Sequence, residues 1–479
     1  MAQAKPLFIG HEWRRTAVTV PVLNPFTGER VAEVSQAGQA EAESAAASAV
    51  SAFHSMRRLS SQARSHALAS LAAQLTTRQE EFAATITSES GKPIVDAKRE
   101  VSRAIQTFLV AAEEAKRITG EVLPLDWTPG TETYIGLTRR FPIGPILGIT
   151  PFNFPLNLVV HKLAPALAAG NSIVIKPAPQ TPLTALLLGE LILQTDLPPG
   201  AVSIVPCANT IAEQMVTDAR FKLLSFTGSA AIGWMLKSKC GKKKVVLELG
   251  GNAGVIIEPD ADLDLAAQRC VTGGFAYAGQ TCISVQRIYV HAAVYDRFLE
   301  KLIHKVRALK SGDPSDPGTV VGPVIDQNAA SRIEAWVSEA VAQGAHVNVG
   351  RARSGALLEP TVLTDVTPSM KVSCQELFGP VLTVTPYAHF DDALAALNDS
   401  EYGLQAGVFT QDVNKIFRAY RELEVGAVLA NEIPTFRADH MPYGGVKESG
   451  LGREGVRFAI EDMTELKLLV LNLKESPST

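Results

Sequence analysis

The chain has 479 residues, 45 Lys and Arg against 49 Asp and Glu, 46% hydrophobic residues and 5 cysteines. Its near-neutral charge, without a long basic run, excludes the electrostatic footprint of a general nucleic-acid binder and of a polybasic membrane patch. Five scattered cysteines without CxxC spacing exclude a disulfide framework and a structural zinc site, and they point to a reducing, cytoplasmic compartment.

The length fits two or three domains of roughly 100–200 residues each. Residues 1–13 lack the basic stretch, apolar core and cleavage site of a secretory leader. Residues 41–56, 63–75 and 102–117 then read as Ala-rich amphipathic helices, packing layers rather than a site. The next run, 141–160, is 20 residues without a formal charge, about the length that spans a bilayer. Pro142, Pro145, Pro151 and Pro155, with Gly144, Gly148, Asn153 and Asn157 among them, make a lipid-exposed helix untenable and predict a buried loop lining a site.

From Pro142 onward, apolar β-branched runs at 146–149, 172–175, 202–205 and 223–226 are interleaved with helical stretches such as 184–193 and 211–217. That alternation is the signature of an α/β fold with a parallel sheet. The pattern restarts after Gly251, with strands at 255–257, 288–290, 381–384 and 407–409 and helices at 295–309, 329–343, 391–397 and 413–423. Two α/β domains joined near 249–252 follow. The apolar stretch 466–473 reads as a strand needing a partner, for which the 123–138 region is the candidate.

Cys282, in Gly279-Gln280-Thr281-Cys282, sits among small and turn-forming residues that allow backbone to approach a substrate, as a thiol nucleophile requires. Taken alone it reads more readily as a buried structural cysteine, as do Cys207, Cys240, Cys270 and Cys374. Glu248 ends an apolar strand before Gly250-Gly251, where desolvation makes a carboxylate a general base; a strand-end salt bridge is the simpler reading. Phe226-Thr227-Gly228-Ser229 leads from a strand into a helix, where free N–H groups meet phosphates, yet it lacks the G-x-G-x-x-G pattern. Lys176, at the end of its strand, faces the edge where open α/β sheets bind ligands, or else is simply solvated. No His, Cys and carboxylate spacing fits a catalytic metal.

In this order, Pro151-Phe152-Asn153-Phe154-Pro155, Lys176-Pro177-Ala178, Phe226-Thr227-Gly228-Ser229, Leu247-Glu248-Leu249-Gly250-Gly251, Gly279-Gln280-Thr281-Cys282, Glu376-Leu377-Phe378-Gly379-Pro380 and Pro442-Tyr443-Gly444-Gly445 resemble the motifs of the aldehyde dehydrogenase superfamily over nearly the whole chain. The resemblance implies a Rossmann-like cofactor domain (1–120 and 139–248), an α/β catalytic domain (249–445) and a β-strand oligomerisation arm (121–138 and 460–479), assembled as a homodimer or homotetramer. It further implies that Cys282 adds to the aldehyde, that Asn153 and the Cys282 backbone N–H hold the oxyanion, and that Glu248 activates water to hydrolyse the thioester. Lys176, Gly228, Ser229, Glu376 and Phe378 would hold NAD or NADP.

Two departures bear on specificity. NAD-selective relatives often carry a Glu three residues after the lysine; here it is Pro179, so NADP or dual use is expected. Relatives that take phosphate- or phosphonate-bearing aldehydes often have Arg before the cysteine; here it is Thr281. Arg103, His161 and Arg437 resemble positions near the channel mouth in relatives using anionic substrates. The plainer reading makes them a helix-surface charge, a satisfied buried histidine and a loop ion-pair member. Convergence of any two would favour a small polar or anionic aldehyde, such as lactaldehyde or a carboxylate-bearing semialdehyde. The competing readings are a CoA-acylating dehydrogenase, which often lacks the glutamate, and a non-catalytic protein of the same fold.

Overall fold

The structure is a computed structural model and describes residues 3–473. Residues 474–479, the end of the predicted arm, and residues 1–2 lie outside the described residues.

An eight-stranded sheet is built around five parallel strands in the order Val202–Ile204, Ile173–Lys176, Ile146–Ile149, Leu223–Thr227 and Lys244–Glu248. The chain runs outward from Ile146–Ile149 in one direction, then returns to its other side with Leu223–Thr227. That reversal creates a switch point, and a crevice opens beyond the carboxyl ends of the two strands flanking it. The 150–156 loop, Lys176, Gly228-Ser229 and Glu248 all emerge at this edge. Antiparallel strands close both sides, Leu7–Ile9 with Glu12–Arg14 at one and Gly450–Leu451 at the other.

A second, seven-stranded sheet runs Thr361–Thr364, Val381–Tyr387, Arg287–His291, Gly254–Ile257, Gln405–Phe409 and Ala427–Ala430 in parallel, with His346–Val349 antiparallel at its edge. Two of its interior strands, Gly254–Ile257 and Gln405–Phe409, are buried at every residue, as a sheet covered on both faces requires. The predicted strand at 466–473 is Thr464–Asn472, paired antiparallel with Tyr134–Pro142, which also pairs with Val122–Pro124.

The uncharged 141–160 run needs correction. Only 143–145 and 150–156 are loop; between them lies the expected strand Ile146–Ile149, and after them the helix Asn157–Ala169, all 13 residues of which are buried. A helix buried all round has no polar face, so it carries no amphipathic period to betray it. Its first turn has no side-chain cap of its own; instead Glu100, from the helix Ile94–Glu114, accepts the N–H groups of Leu156 and Asn157 at 2.9 and 3.1 Å. The predicted helix at 102–117 is thus the later part of Ile94–Glu114, and Gln79–Ser90 is an additional helix.

Candidate active site

Cys282 follows the helix Leu263–Phe275 through three successive left-handed residues, Tyr277 (φ 49°), Ala278 (φ 52°) and Gly279 (φ 70°). Each non-glycine in this conformation costs roughly 1–2 kcal/mol, so the surroundings must hold the turn in place. They do so on three sides. The Tyr277 hydroxyl donates to the Ser90 carbonyl at 3.1 Å. The Gln280 amide donates to the Pro323 carbonyl and accepts from the Ile325 N–H at 2.8 Å. A Cβ on Gly279 would lie 2.2 Å from the Gly379 carbonyl oxygen, so only glycine fits there.

Asn153 is buried in the 150–156 loop and donates one amide hydrogen to the Gln280 carbonyl at 2.9 Å, tying that loop to the cysteine turn. Its other amide hydrogen has no acceptor among the described residues. Cys282 Sγ lies 2.9 Å from the Tyr443 hydroxyl, and burial pushes the thiol up to about 11 despite that contact and the nearby Arg437 guanidinium.

Glu248 ends its strand at the sheet edge, buried, with neither carboxylate oxygen hydrogen-bonded among the described residues. Burial, reinforced by the negative charge of Glu454, pushes its pKa well above the carboxylate range; Arg437, Lys162 and Arg453 pull the other way. Glu454 is the opposite case. Burial acts on it too, but Lys162 (3.3 Å) and Arg437 (2.8 Å) outweigh it and hold the carboxyl at about 2.

On the far side of the edge lie the predicted cofactor contacts. Lys176 Nζ is buried, its pKa lowered by desolvation, and reaches Asn209 Oδ1 at 3.4 Å. Ser229 is exposed at the N-cap of Ala230–Lys239 and leaves that helix without a side-chain cap, its N–H groups available to an anion. The Gly228 N–H donates to the Glu248 carbonyl. Glu376 packs over Gly250, where a Cβ would sit 2.3 Å from its carboxylate, and accepts the Gly251 N–H at 3.0 Å; burial raises it to about 7. Phe378, at φ 52°, stacks edge-on against Phe152. Pro179 is exposed and brings no charge. An uncapped helix terminus, a lysine and an acidic acceptor around a topological switch point fit a dinucleotide's pyrophosphate and riboses.

The substrate side is a cavity of about 260 Å³ whose walls include Cys282, Thr281, Phe154, Tyr443, Arg103 and Arg437. The Thr281 hydroxyl is buried without a partner among the described residues. A wider depression of about 730 Å³ lies near Trp13 and Glu190, and none of Cys282, Asn153 and Glu248 lines it. Arg103 and His161 converge on Asp439, an acid the sequence reading did not single out, and Arg437 joins them through His161. Arg103 grips Asp439 through Nε and Nη2 at 3.2 and 2.8 Å, and His161 Nε2 meets the same carboxylate at 2.7 Å. Arg437 approaches His161 Nδ1 at 3.4 Å while pairing with Glu454.

The placement of His161 is a correction: it is buried behind the wall and does not line the cavity. Burial and Arg437 lower its pKa, so it is neutral at neutral pH, and the contacts assign its proton to Nε2, donated to Asp439. Both arginines line the cavity while each pairs with a carboxylate, so the channel-mouth and ion-pair readings hold together.

Other site residues have no signal in the sequence. Lys92 is buried in the cavity wall, paired with Glu100 and stacked on the Phe154 ring at 3.7 Å. Asp439, Glu454 and Lys162 likewise come from separate segments that only the fold unites.

The aldehyde dehydrogenase family pattern matches residues 13–469. A 3-sulfolactaldehyde dehydrogenase of Priestia megaterium is 45% identical over 468 residues, 98% of each chain. The structure of aldehyde dehydrogenase 21 from Physcomitrella patens, in complex with the reaction product succinate, superposes with a TM-score of 0.96 at 45% identity, over 98% of this chain and 99% of that one. An NADP-dependent glyceraldehyde-3-phosphate dehydrogenase from Bacillus halodurans, complexed with NADP, superposes with a TM-score of 0.96 at 34% identity, over 99% and 100%. A match of that extent, at those identities, places the chain in the aldehyde dehydrogenase family.

Proposed function

We propose that the protein oxidises a small anionic aldehyde, bearing a carboxylate or sulfonate, to its carboxylic acid, with NADP preferred over NAD. The carrying observation is the cavity itself: Cys282 and the guanidinium of Arg103 line one space. Arg103 commits Nε and Nη2 to Asp439, which leaves Nη1 without a partner among the described residues. A guanidinium so placed binds the substrate's anionic end and turns its carbonyl toward Sγ. The 3-sulfolactaldehyde and succinate of the relatives' names are both anionic, which supports the reading.

In this scheme the Cys282 thiolate adds to the carbonyl carbon, and the free Asn153 amide hydrogen with the Cys282 backbone N–H stabilises the oxyanion of the thiohemiacetal. A nicotinamide cofactor, when bound, accepts the two electrons and the hydrogen that leave the aldehyde carbon. Glu248 then takes a proton from water as it attacks the thioester, the C–S bond breaks, and the carboxylic acid departs. Its unpaired oxygens and raised pKa suit a base that must release its proton again. Glu248 also favours hydrolysis over transfer to CoA.

Lys176, Gly228 and Ser229 would hold the adenosine and pyrophosphate, and Glu376 with Phe378 the nicotinamide ribose. The absence of acidic charge at Pro179 leaves room for a 2′-phosphate beside Lys176. Residues 1–120 and 139–248 would form the cofactor domain and 249–445 the catalytic domain, with 121–138 and 460–479 as arm. The arm strand exposes Leu466, Leu468, Leu469 and Val470, an apolar band suited to a second copy in a homodimer or homotetramer. Five free cysteines fit a reducing, cytoplasmic setting, and among the described residues no helix is long and apolar enough to cross a membrane.

The test is a panel of neutral, hydroxylated, carboxylated, sulfonated and phosphorylated aldehydes, assayed with NAD and NADP in the wild type and Cys282→Ser. The expectation is highest kcat/KM for a carboxylated or sulfonated aldehyde with NADP, and no turnover in the variant. A tenfold advantage for NAD would sink the cofactor preference, and turnover in Cys282→Ser would sink the mechanism.

A further inference from the structure

We infer that the Tyr443 hydroxyl is a catalytic hydrogen-bond donor to the Cys282 sulfur, stabilising the thiolate before it attacks and again as it leaves the thioester. The inference deepens the proposed function and rests on Cys282 being the nucleophile.

The geometry has three parts. First, Tyr443 Oη lies 2.9 Å from Sγ, and no other partner of that hydroxyl occurs among the described residues. Second, the ring cannot swing away. The Tyr443 and Glu454 backbones exchange N–H···O bonds in both directions, the Glu454 carboxylate holds Arg437 at 2.8 Å, and the Arg437 guanidinium lies 3.7 Å from the centre of the Tyr443 ring. Backbone, ion pair and cation–π contact thus close a circle on one aromatic ring. Third, Tyr443 is 3% exposed, and burial first, then the neighbouring Cys282 and Glu248, which become anionic, push its pKa well above the usual phenol value against the pull of Arg437. The phenol therefore stays protonated, and once Cys282 has lost its proton the sulfur can only accept.

The charges facing Sγ make such a donor useful. Glu248 and Glu376 disfavour a thiolate and Arg437 favours it, while the Lys92 and Arg103 cations of the same cavity are each paired with a carboxylate. A neutral donor aimed at the sulfur stabilises the anion without adding a charge that would compete for an anionic substrate. In the forward step the thiol proton passes to water and Tyr443 keeps its own. When the tetrahedral intermediate collapses, the C–S bond breaks and its electron pair settles on Sγ, where the same O–H receives it. Tyr443 is neither oxidised nor deprotonated at any point.

The substitution Tyr443→Phe removes the hydroxyl and keeps the ring under Arg437. Cys282 alkylation by iodoacetamide is followed by peptide mass spectrometry, without aldehyde, from neutral to strongly alkaline pH. The expected result is alkylation about tenfold slower at neutral pH, a profile displaced upward by about one pH unit, and rates converging with wild type at the alkaline end. Superimposable profiles would overturn the inference, as would a uniform loss at every pH, which reports a misplaced rather than a less ionised sulfur. Thiolate ultraviolet absorbance, titrated in both proteins, gives the same comparison without a reagent, and unchanged melting temperatures verify the fold. Failure of the nucleophile reading looks different: Cys282→Ser would retain dehydrogenase activity whatever the alkylation profiles show.

Discussion

Replacing Arg103 by alanine tests the assignment of the anion site. Its side chain is 30% exposed, and only Nε and Nη2 are committed, both to Asp439. A hydrogen bond to a charged group contributes about 1.5–3 kcal/mol, and solvent access to Arg103 favours the lower half of that range. At about 1.4 kcal/mol per factor of ten, kcat/KM for an anionic aldehyde should fall roughly tenfold to thirtyfold. Loss of the guanidinium also leaves Asp439, still bound by His161 and Asn157, as an uncompensated negative charge near the cavity, which lowers the value further. Steady-state kinetics with 3-sulfolactaldehyde, succinate semialdehyde and propanal check this, because propanal has no anion to lose and should change less than threefold. The double variant Arg103→Ala, Asp439→Asn should recover part of the loss for the anionic substrates alone. Equal losses for propanal and the anionic aldehydes would refute the reasoning, since they would make Arg103 a support for the fold of the cavity.

Glu248→Gln should leave the first turnover, seen as a burst of reduced cofactor, while slowing the steady state by about a hundredfold; absence of the burst would place Glu248 in acylation. Because burial raises the Glu248 pKa in the folded state, folding takes up a proton there, so its contribution favours the fold at acidic pH and is lost as pH rises through the folded value. Thermal unfolding should therefore find Glu248→Gln more stable than wild type by a margin that grows from acidic to alkaline pH. Pro179→Glu places a carboxylate where a 2′-phosphate would sit, and should raise KM for NADP about tenfold while sparing NAD; parallel changes would remove Pro179 from the site. Leu468→Asp with Val470→Asp, on the exposed arm strand, should reduce the sedimentation coefficient to that of a smaller assembly; an unchanged value would mean that the arm does not hold copies together.

Elements with a periodic pattern were legible in the sequence. The strand predicted at 146–149 is observed at those residues, and the arm strand and its partner region were both anticipated. Ile94–Glu114 was caught only in its later part, and Asn157–Ala169 was missed because a fully buried helix lacks a polar stripe. The site divides in the same way. Cys282, Asn153, Glu248, Lys176 and Glu376 stand in motifs whose order along the chain identifies them. Asp439, Glu454, Lys162 and Lys92 carry no local signature, since each acquires meaning only from a partner on another segment: Asp439 from Arg103 336 positions away, and Glu454 from Lys162 292 positions away. Tyr443 lies inside a recognised motif, yet its hydroxyl became informative only when the fold set it 2.9 Å from Sγ.

The buried charges behind Glu248 divide the work of two carboxylates that the fold brings close enough to influence each other. Lys162 and Arg437 act on both, but only Glu454 receives their hydrogen bonds. The bonded carboxylate is driven down to about 2 and remains an anion, anchoring Arg437 over the Tyr443 ring. The unbonded one, Glu248, meets that fixed negative charge as well as its own desolvation and is driven up. Two glutamates with pKa values pushed apart acquire separate duties, one as a permanent counter-ion and one as a proton carrier. A desolvated lysine and arginine are costly unless paired, so the anchor cannot be dispensed with once the cations are buried. The same arrangement holds Arg437 in the wall of the substrate cavity. Glu454 thus acts on the base through its charge, and holds the tyrosine beside the nucleophile and a cation of the cavity wall through its backbone and its pairing with Arg437.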